Sequence, residues 1–127
     1  MDAQTNSLNW FEIPATDINR AKTFYETIFG IEMALDTMMG MTMAYFPQDM
    51  GNGKASGCLC KSDMHKPSMD GAVIYLNANP AMDNVLERIP AAGGSVLMPK
   101  TQIGENIGYM AFFTDTEGNK VALHSQN

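Results

Sequence analysis

The chain has 127 residues, 45% of them hydrophobic and 17% charged, with a formal net charge of −6. That is one domain's length with an ordinary globular composition. No apolar run approaches the roughly 20 residues of a spanning helix, and the 8 lysines and arginines are scattered where phosphate binding needs them clustered, so neither a membrane nor nucleic acid is an expected partner. Met1–Ser7 is polar and lacks the basic and apolar regions of a signal peptide, which points to the cytoplasm.

Residues 8–14 alternate, with Trp10, Phe11 and Ile13 as the large apolar members, and predict a strand ending at Pro14. Asp17 suits a helix N-cap. Ile18, Ala21, Phe24, Tyr25 and Ile28 then fall on one helical face before Gly30, a natural stop. Residues 31–37, 41–47 and 55–61 read as three further strands. Residues 62–70 are polar, contain Pro67 and read as a linker with His65 on its surface. The pattern then restarts with a strand at 71–78. A helix follows, with Asn79 as cap, Pro80 in its first turn, and Pro90 and Gly93-Gly94 ending it. Strands at 95–99, 109–114 and 120–125 complete the chain, with a two-glycine loop at 100–108.

Each half therefore reads β-α-β-β-β. Met43-Ala44-Tyr45-Phe46 is echoed by Met110-Ala111-Phe112-Phe113, and Gly51-Asn52 by Gly118-Asn119, both at a spacing of 67, while the strand openings Trp10 and Ala72 stand 62 apart. One such unit cannot cover both faces of its sheet, whereas two side by side can. The expected fold is α+β: a single domain of two βαβββ units, residues 8–61 and 71–126, forming a cup-shaped mixed sheet with the helices on its outer face. The concave face is the expected ligand site.

The stretches NWFEIPATDINRAKTFYETIFG and YMAFFTDTEGNKVAL resemble the vicinal oxygen chelate superfamily, which includes glyoxalase I, extradiol dioxygenases and bleomycin-resistance proteins. Within it the pattern is most similar to small proteins related to lactoylglutathione lyase. The resemblance implies paired units, usually in a homodimer. It also implies that the metal enzymes take four ligands from the first and fourth strands of each unit, positions that fall here on Trp10, Cys58, Ala72 and Ala122. Trp10, Ala72 and Ala122 offer no ligand atom, and one thiol does not make a site. Neither a metal nor another cofactor is expected, and chemistry that uses the metal as Lewis acid or oxygen activator is not implied.

Positions two apart on a strand share a face, so Glu12 accompanies Trp10, Cys60 accompanies Cys58, Ile74 accompanies Ala72 and His124 accompanies Ala122. These eight residues are the expected ligand-binding set. Trp10 reads equally as a stacking plate and as a filler of the space a metal and its ligand would take. Glu12 and His124 are candidates for acid–base chemistry, with ordinary rim residues as the bland alternative. Cys58 and Cys60 read as small buried apolar residues too close along one strand for a disulfide. The expectation is a metal-independent protein of the glyoxalase/bleomycin-resistance type, a homodimer that binds a small aromatic or cationic ligand, the acidic charge favouring a cation. The alternative is a metal-independent lyase or isomerase using Glu12 or His124, and a third reading is a partner module with no ligand.

Overall fold

A computed structural model describes residues 1–127. The first unit runs β1 (Trp10–Pro14), α1 (Ile18–Phe29), β2 (Ala34–Met38), β3 (Met41–Tyr45) and β4 (Ser56–Lys61). The second runs β5 (Tyr75–Asn77), α2 (Asp83–Ala92), β6 (Ser95–Gly104), β7 (Gly108–Thr114) and β8 (Lys120–Ser125). The sheets are ordered β1-β4-β3-β2 and β5-β8-β7-β6, the same order twice. In each, the strand before the helix pairs parallel with the last strand, and the other pairs are antiparallel. β1 and β5 are therefore both edge strands. No helix is long and apolar enough to cross a membrane.

The α1 signals act as their chemistry dictates. The Asp17 carboxylate accepts from the Arg20 amide at 3.0 Å. Gly30 turns left-handed at φ 65° and its N–H closes on the Glu26 carbonyl, a conformation that costs glycine no Cβ clash. The face of Ile18, Ala21, Phe24, Tyr25 and Ile28 is buried. It meets Ile13, Ala44 and Leu59 of its own sheet and Ala111, Phe113 and Leu123 of the second in one cluster. Both sheets and both helices thus share a single core.

The second unit departs from expectation in several places. β5 covers only Tyr75–Asn77. Asn79 does not cap α2: the helix starts at Asp83 with Met82 in the cap position and no side-chain cap, and the Asn79-Pro80 bond is cis. Pro90 does not end α2 but lies inside it, and the stop falls at Gly93. In a helix this short, the ring of Pro90 removes a single amide from the last turn. β6 runs through to Gly104 with three register irregularities, so the expected loop at 100–108 shrinks to a turn about Asn106.

Hydrogen-bond register sets the true correspondence between the units. Ala15 donates to the Cys60 carbonyl and Ala78 to that of His124, at 2.9 and 2.8 Å. Cys60 therefore matches His124, and Glu12 matches Tyr75. The counterpart of Trp10 is Val73, not Ala72.

The Asp115–Asn119 turn of the second unit grips the first. The buried Asp115 carboxylate accepts from the Tyr25 hydroxyl at 2.8 Å and from the Asn119 side chain at 2.9 Å. The Asn119 amide also donates to the Pro14 carbonyl at 2.7 Å. Burial, with the adjacent Asp115 charge and hydrogen bond, holds the Tyr25 hydroxyl well above the usual tyrosine range. Glu117 reaches across to Arg20 at 2.7 Å and accepts the Thr16 and Asp17 amides at 2.9 and 2.7 Å. Burial pushes the Glu117 carboxyl up, but the Arg20, Asp17 and Thr116 hydrogen bonds together outweigh it and hold the group below its usual 4.5. A carboxyl with a depressed native pKa stabilises the fold above 4.5 and loses that contribution as pH falls through the native value. Urea unfolding measured from pH 7 to pH 3 should show stability falling below pH 4.5, and Glu117→Gln should be less stable at pH 7 with a flatter acid limb.

Candidate functional site

β1 is short, and its alternation splits its side chains between two sides. Phe11 and Ile13 turn to the helices, with Phe46 and Leu59. Trp10 and Glu12 turn away with Cys58, Cys60, Met43 and Tyr45. The pairing Glu12↔Cys58↔Tyr45 crosses the three strands in one row, with Cys60↔Met43 in the next. The Trp10 and Tyr45 rings meet edge-on at 6.0 Å. In the second unit Leu76, Ala111, Phe113 and Leu123 face the core. Tyr75, Ala122, His124, Met110 and Phe112 face away, with the Tyr75 and Phe112 rings 6.1 Å apart.

The linker does not hang free. Ser62 and His65 form a β-bridge, the Ser68 amide donates to Asn119 and its carbonyl accepts from Lys120. His65, expected on the surface, is instead laid against β1 and β4. Its Nε2 lies 2.8 Å from Glu12 Oε1, and its Nδ1 lies 2.6 Å from Ser62 Oγ and 3.7 Å from Cys60 Sγ. A carboxylate only accepts, so Nε2–H donates to Glu12; in the neutral ring Nδ1 then offers its lone pair to the Ser62 hydroxyl. That hydroxyl in turn accepts the Met64 amide at 3.1 Å. Cys58 Sγ is 4.0 Å from Glu12 Oε2. No spacing rule joins Glu12 to a histidine 53 positions later. The visible signal was Ser62 three residues before His65, a turn spacing that folds the histidine back on its own strand.

The two thiols are fully buried. Burial, then the Glu12 charge, pushes the Cys58 thiol up to about 12, with a Trp10 hydrogen bond acting the other way. The same two causes, in the same order, raise Cys60. An imidazole adjoins Cys60 in space, whereas Lys61, its neighbour in sequence, points to the other side of β4.

His124, the other acid–base candidate, sits in the second sheet. Its Nε2 is 2.8 Å from the Ile107 carbonyl and donates to it. The structure therefore brings Glu12 to His65 and leaves His124 elsewhere. The four metal-ligand positions that the resemblance implies fall on Trp10, Cys58, Val73 and Ala122 once register is applied, and the side chains of Trp10, Val73 and Ala122 offer no atom that binds a metal ion.

An apolar cavity of about 630 Å³ opens between the edge strands, walled by Phe11, Phe46, Ile74, Leu76 and, from the end of α1, Phe29 and Ile31. It lies on the core side of β1, so Trp10, Glu12, Cys58, Cys60, Ala122 and His124 do not line it, while Ala72 and Ile74 do. Ile74 does not share the side of Tyr75 and Ala122: it packs against the common core. A smaller, polar cavity of about 220 Å³ shares Ala72 and Ile74 with the first and is bordered by Glu12, Lys66, Asp70 and Lys120.

Burial and raised thiol pKa values together predict slow reaction with alkylating reagents. Mass spectrometry after iodoacetamide treatment at pH 8 should find Cys58 and Cys60 unmodified in native protein and both modified in urea. Rapid native labelling of either would contradict this placement.

CFP32 of Mycobacterium tuberculosis is 30% identical over 122 residues, 94% of this chain but 45% of its own length, so the chain spans about half of that relative. A glyoxylase-like domain-containing protein of Didymella fabae is 30% identical over 119 residues, 91% of each chain. The solved structure of TnmS3, an antibiotic-binding protein from a Streptomyces species, superposes with a TM-score of 0.62 at 20% identity, covering 99% of this chain and all of its own; at that identity the likeness is one of fold. The sequence profile matching residues 7–123 is that of the Glyoxalase/Bleomycin resistance protein/Dioxygenase superfamily, and the chain belongs to that family.

Proposed function

We propose that this protein binds a small, flat, mainly apolar organic molecule in the cavity between β1 and β5, using no metal at the four inherited positions. The cavity itself carries the reading. At about 630 Å³, with 11 of its 14 lining residues hydrophobic, it has the size and character of a small-molecule site. The shared wall at Ala72 and Ile74 leads to the polar cavity with Glu12 at its border. A ligand with an aromatic body and one cationic or hydrogen-bonding group suits that sequence of surfaces. The net charge of −6 supports a cation over an anion, and the antibiotic-binding neighbour supports sequestration over turnover. The exposed Leu8, Trp10, Val73 and Tyr75 along the two edge strands support a homodimer as the working state.

A thermal-shift screen of planar aromatic amines and their neutral analogues tests the reading. A ligand at a hundredfold excess over its Kd adds about 2.7 kcal/mol, which raises Tm by several degrees. Ile74→Trp, which fills the cavity, should abolish the shift. Absence of any shift across the panel would overturn the reading.

The contact between Glu12 and His65 favours a second reading, a metal-independent lyase or isomerase in which this pair moves a proton, with His65 in the role expected of His124. On any carbonyl substrate the protein turns over, Glu12→Gln should lower kcat by about 10²–10⁴ and leave unchanged the thermal shift of a neutral, wholly apolar ligand in the cavity, which does not reach Glu12. Full activity in that variant would remove this reading.

A further inference from the structure

Neither reading uses a thiol. Glu12 on β1, Cys60 on β4 and His65 from the linker bring one donor atom each into a single cluster, all within 4.8 Å of one another. They arrive from three separate segments and supply the three donor types that Zn²⁺ accepts: carboxylate oxygen, thiolate sulfur and imidazole nitrogen. None of them is a position that the family resemblance assigns to a metal. Glu12 Oε1 and His65 Nε2 are 2.8 Å apart, and Cys60 Sγ lies 3.7 Å from the same ring at Nδ1. Bonds of about 2.0 Å to oxygen and nitrogen and about 2.3 Å to sulfur set donor atoms about 3.3–3.5 Å apart around a tetrahedral ion. Carboxylate and ring must therefore open by about half an ångström, and ring and sulfur must close by about one. The two side chains that would move have room to do so: His65 and Glu12 keep 16% and 34% of their surface exposed, which also leaves a path from solvent to the buried sulfur. Ser62 Oγ lies 2.6 Å from His65 Nδ1 and accepts the Met64 amide at 3.1 Å. A hydroxyl oxygen has two lone pairs, so it can also accept Nδ1–H from the other tautomer, which leaves Nε2 free to bind. An acceptor on the second ring nitrogen is what orients a metal-ligating imidazole.

We propose that the Glu12 carboxylate, Cys60 Sγ and His65 Nε2 form a three-ligand site for a divalent ion of the Zn²⁺ type, with Ser62 positioning His65 and the fourth place left to water. The site lies wholly in the first unit and its linker, apart from the apolar cavity. Starting from the neutral imidazole, the Cys60 S–H bond breaks, a metal–sulfur bond forms and one proton leaves to solvent, while the ring gives up its Nε2 proton and takes one at Nδ1. Carboxylate and thiolate cancel the charge of the ion, so the centre is neutral and the buried thiolate is compensated. The ion takes the place of the proton that Glu12 and His65 share, so the loaded state and the proton transfer of the second reading exclude each other.

The test titrates the reduced, chelator-treated chain with Co²⁺ as spectroscopic probe and with Zn²⁺ in competition. The expected result is one ion per chain, a thiolate-to-cobalt charge-transfer band with tetrahedral visible absorption, and loss of both on adding Zn²⁺. Release of one proton makes binding about tenfold tighter at pH 8.5 than at pH 7.5. Cys60→Ser should remove the band, and His65→Ala and Glu12→Gln should each weaken binding more than Ser62→Ala, which should cost about 10–100-fold with the band retained. Absence of the band in the wild type overturns the proposal, as does a band that survives Cys60→Ser. Should Cys60→Ser fail to fold, His65→Ala decides, because it leaves β4 intact: unchanged affinity and spectrum in that variant also overturn it. No organic ligand enters the measurement, so its failure is separate from failure of the cavity reading.

Discussion

Asp115 is the constraint on which the rest of the structure depends. Its carboxylate is almost fully buried and has no cation beside it; instead it accepts the Tyr25 hydroxyl, the Asn119 side chain and the Glu117 and Asn119 amides. A buried carboxylate is tolerable only when its lone pairs are filled in this way. Because one donor comes from α1 of the other unit, satisfying Asp115 also docks the two units. Asn119 then spends its second amide hydrogen on the Pro14 carbonyl at the end of β1. β1 is thereby held at a fixed place along the seam, which in turn sets the gap to β5 that becomes the apolar cavity.

The tie runs in one direction. The corresponding turn of the first unit, about Gly51-Asn52, is exposed and makes no such grip on the second. The two sheets repeat the same strand order, yet their outward faces differ in chemistry. Where the first unit places Glu12, Cys58 and Cys60, the second places Tyr75, Ala122 and His124. The linker adds to the difference. Anchored through Ser68 to Asn119 and Lys120, it has to run along β1, and it carries His65 onto Glu12 as it does so. Reactive groups are therefore gathered in one unit by the connection that the second unit secures.

Much of the fold is legible in the residues because it rests on local rules. α1 follows from Asp17, the apolar spacing and Gly30, and the repeat follows from Met43–Phe46 against Met110–Phe113. The clamp was visible only as the Asp115–Asn119 motif, since nothing local shows that its partner is Tyr25. The errors come from register and from long-range contact. Aligning Trp10 with Ala72 misplaced Ile74 by one residue, and a slip of one moves every side chain of a strand to the other side. The resemblance puts the expected ligand face on the Trp10 side, and the apolar cavity opens on the Phe11 side. His65 was read from linker composition, which carries no information about what a linker packs against.

The outward faces of the two sheets differ in what holds their histidines. Ala122 in β8 stands at the place that Cys58 takes in β4, and His124 at the place of Cys60. His124 is bonded to the Ile107 carbonyl, whereas His65 arrives from the linker and meets the Glu12 carboxylate at 2.8 Å. A backbone carbonyl accepts a hydrogen bond but does not take the proton, while a carboxylate can do both. Of the two histidines, only the one that the linker delivers therefore has a side-chain partner with which a proton can be exchanged.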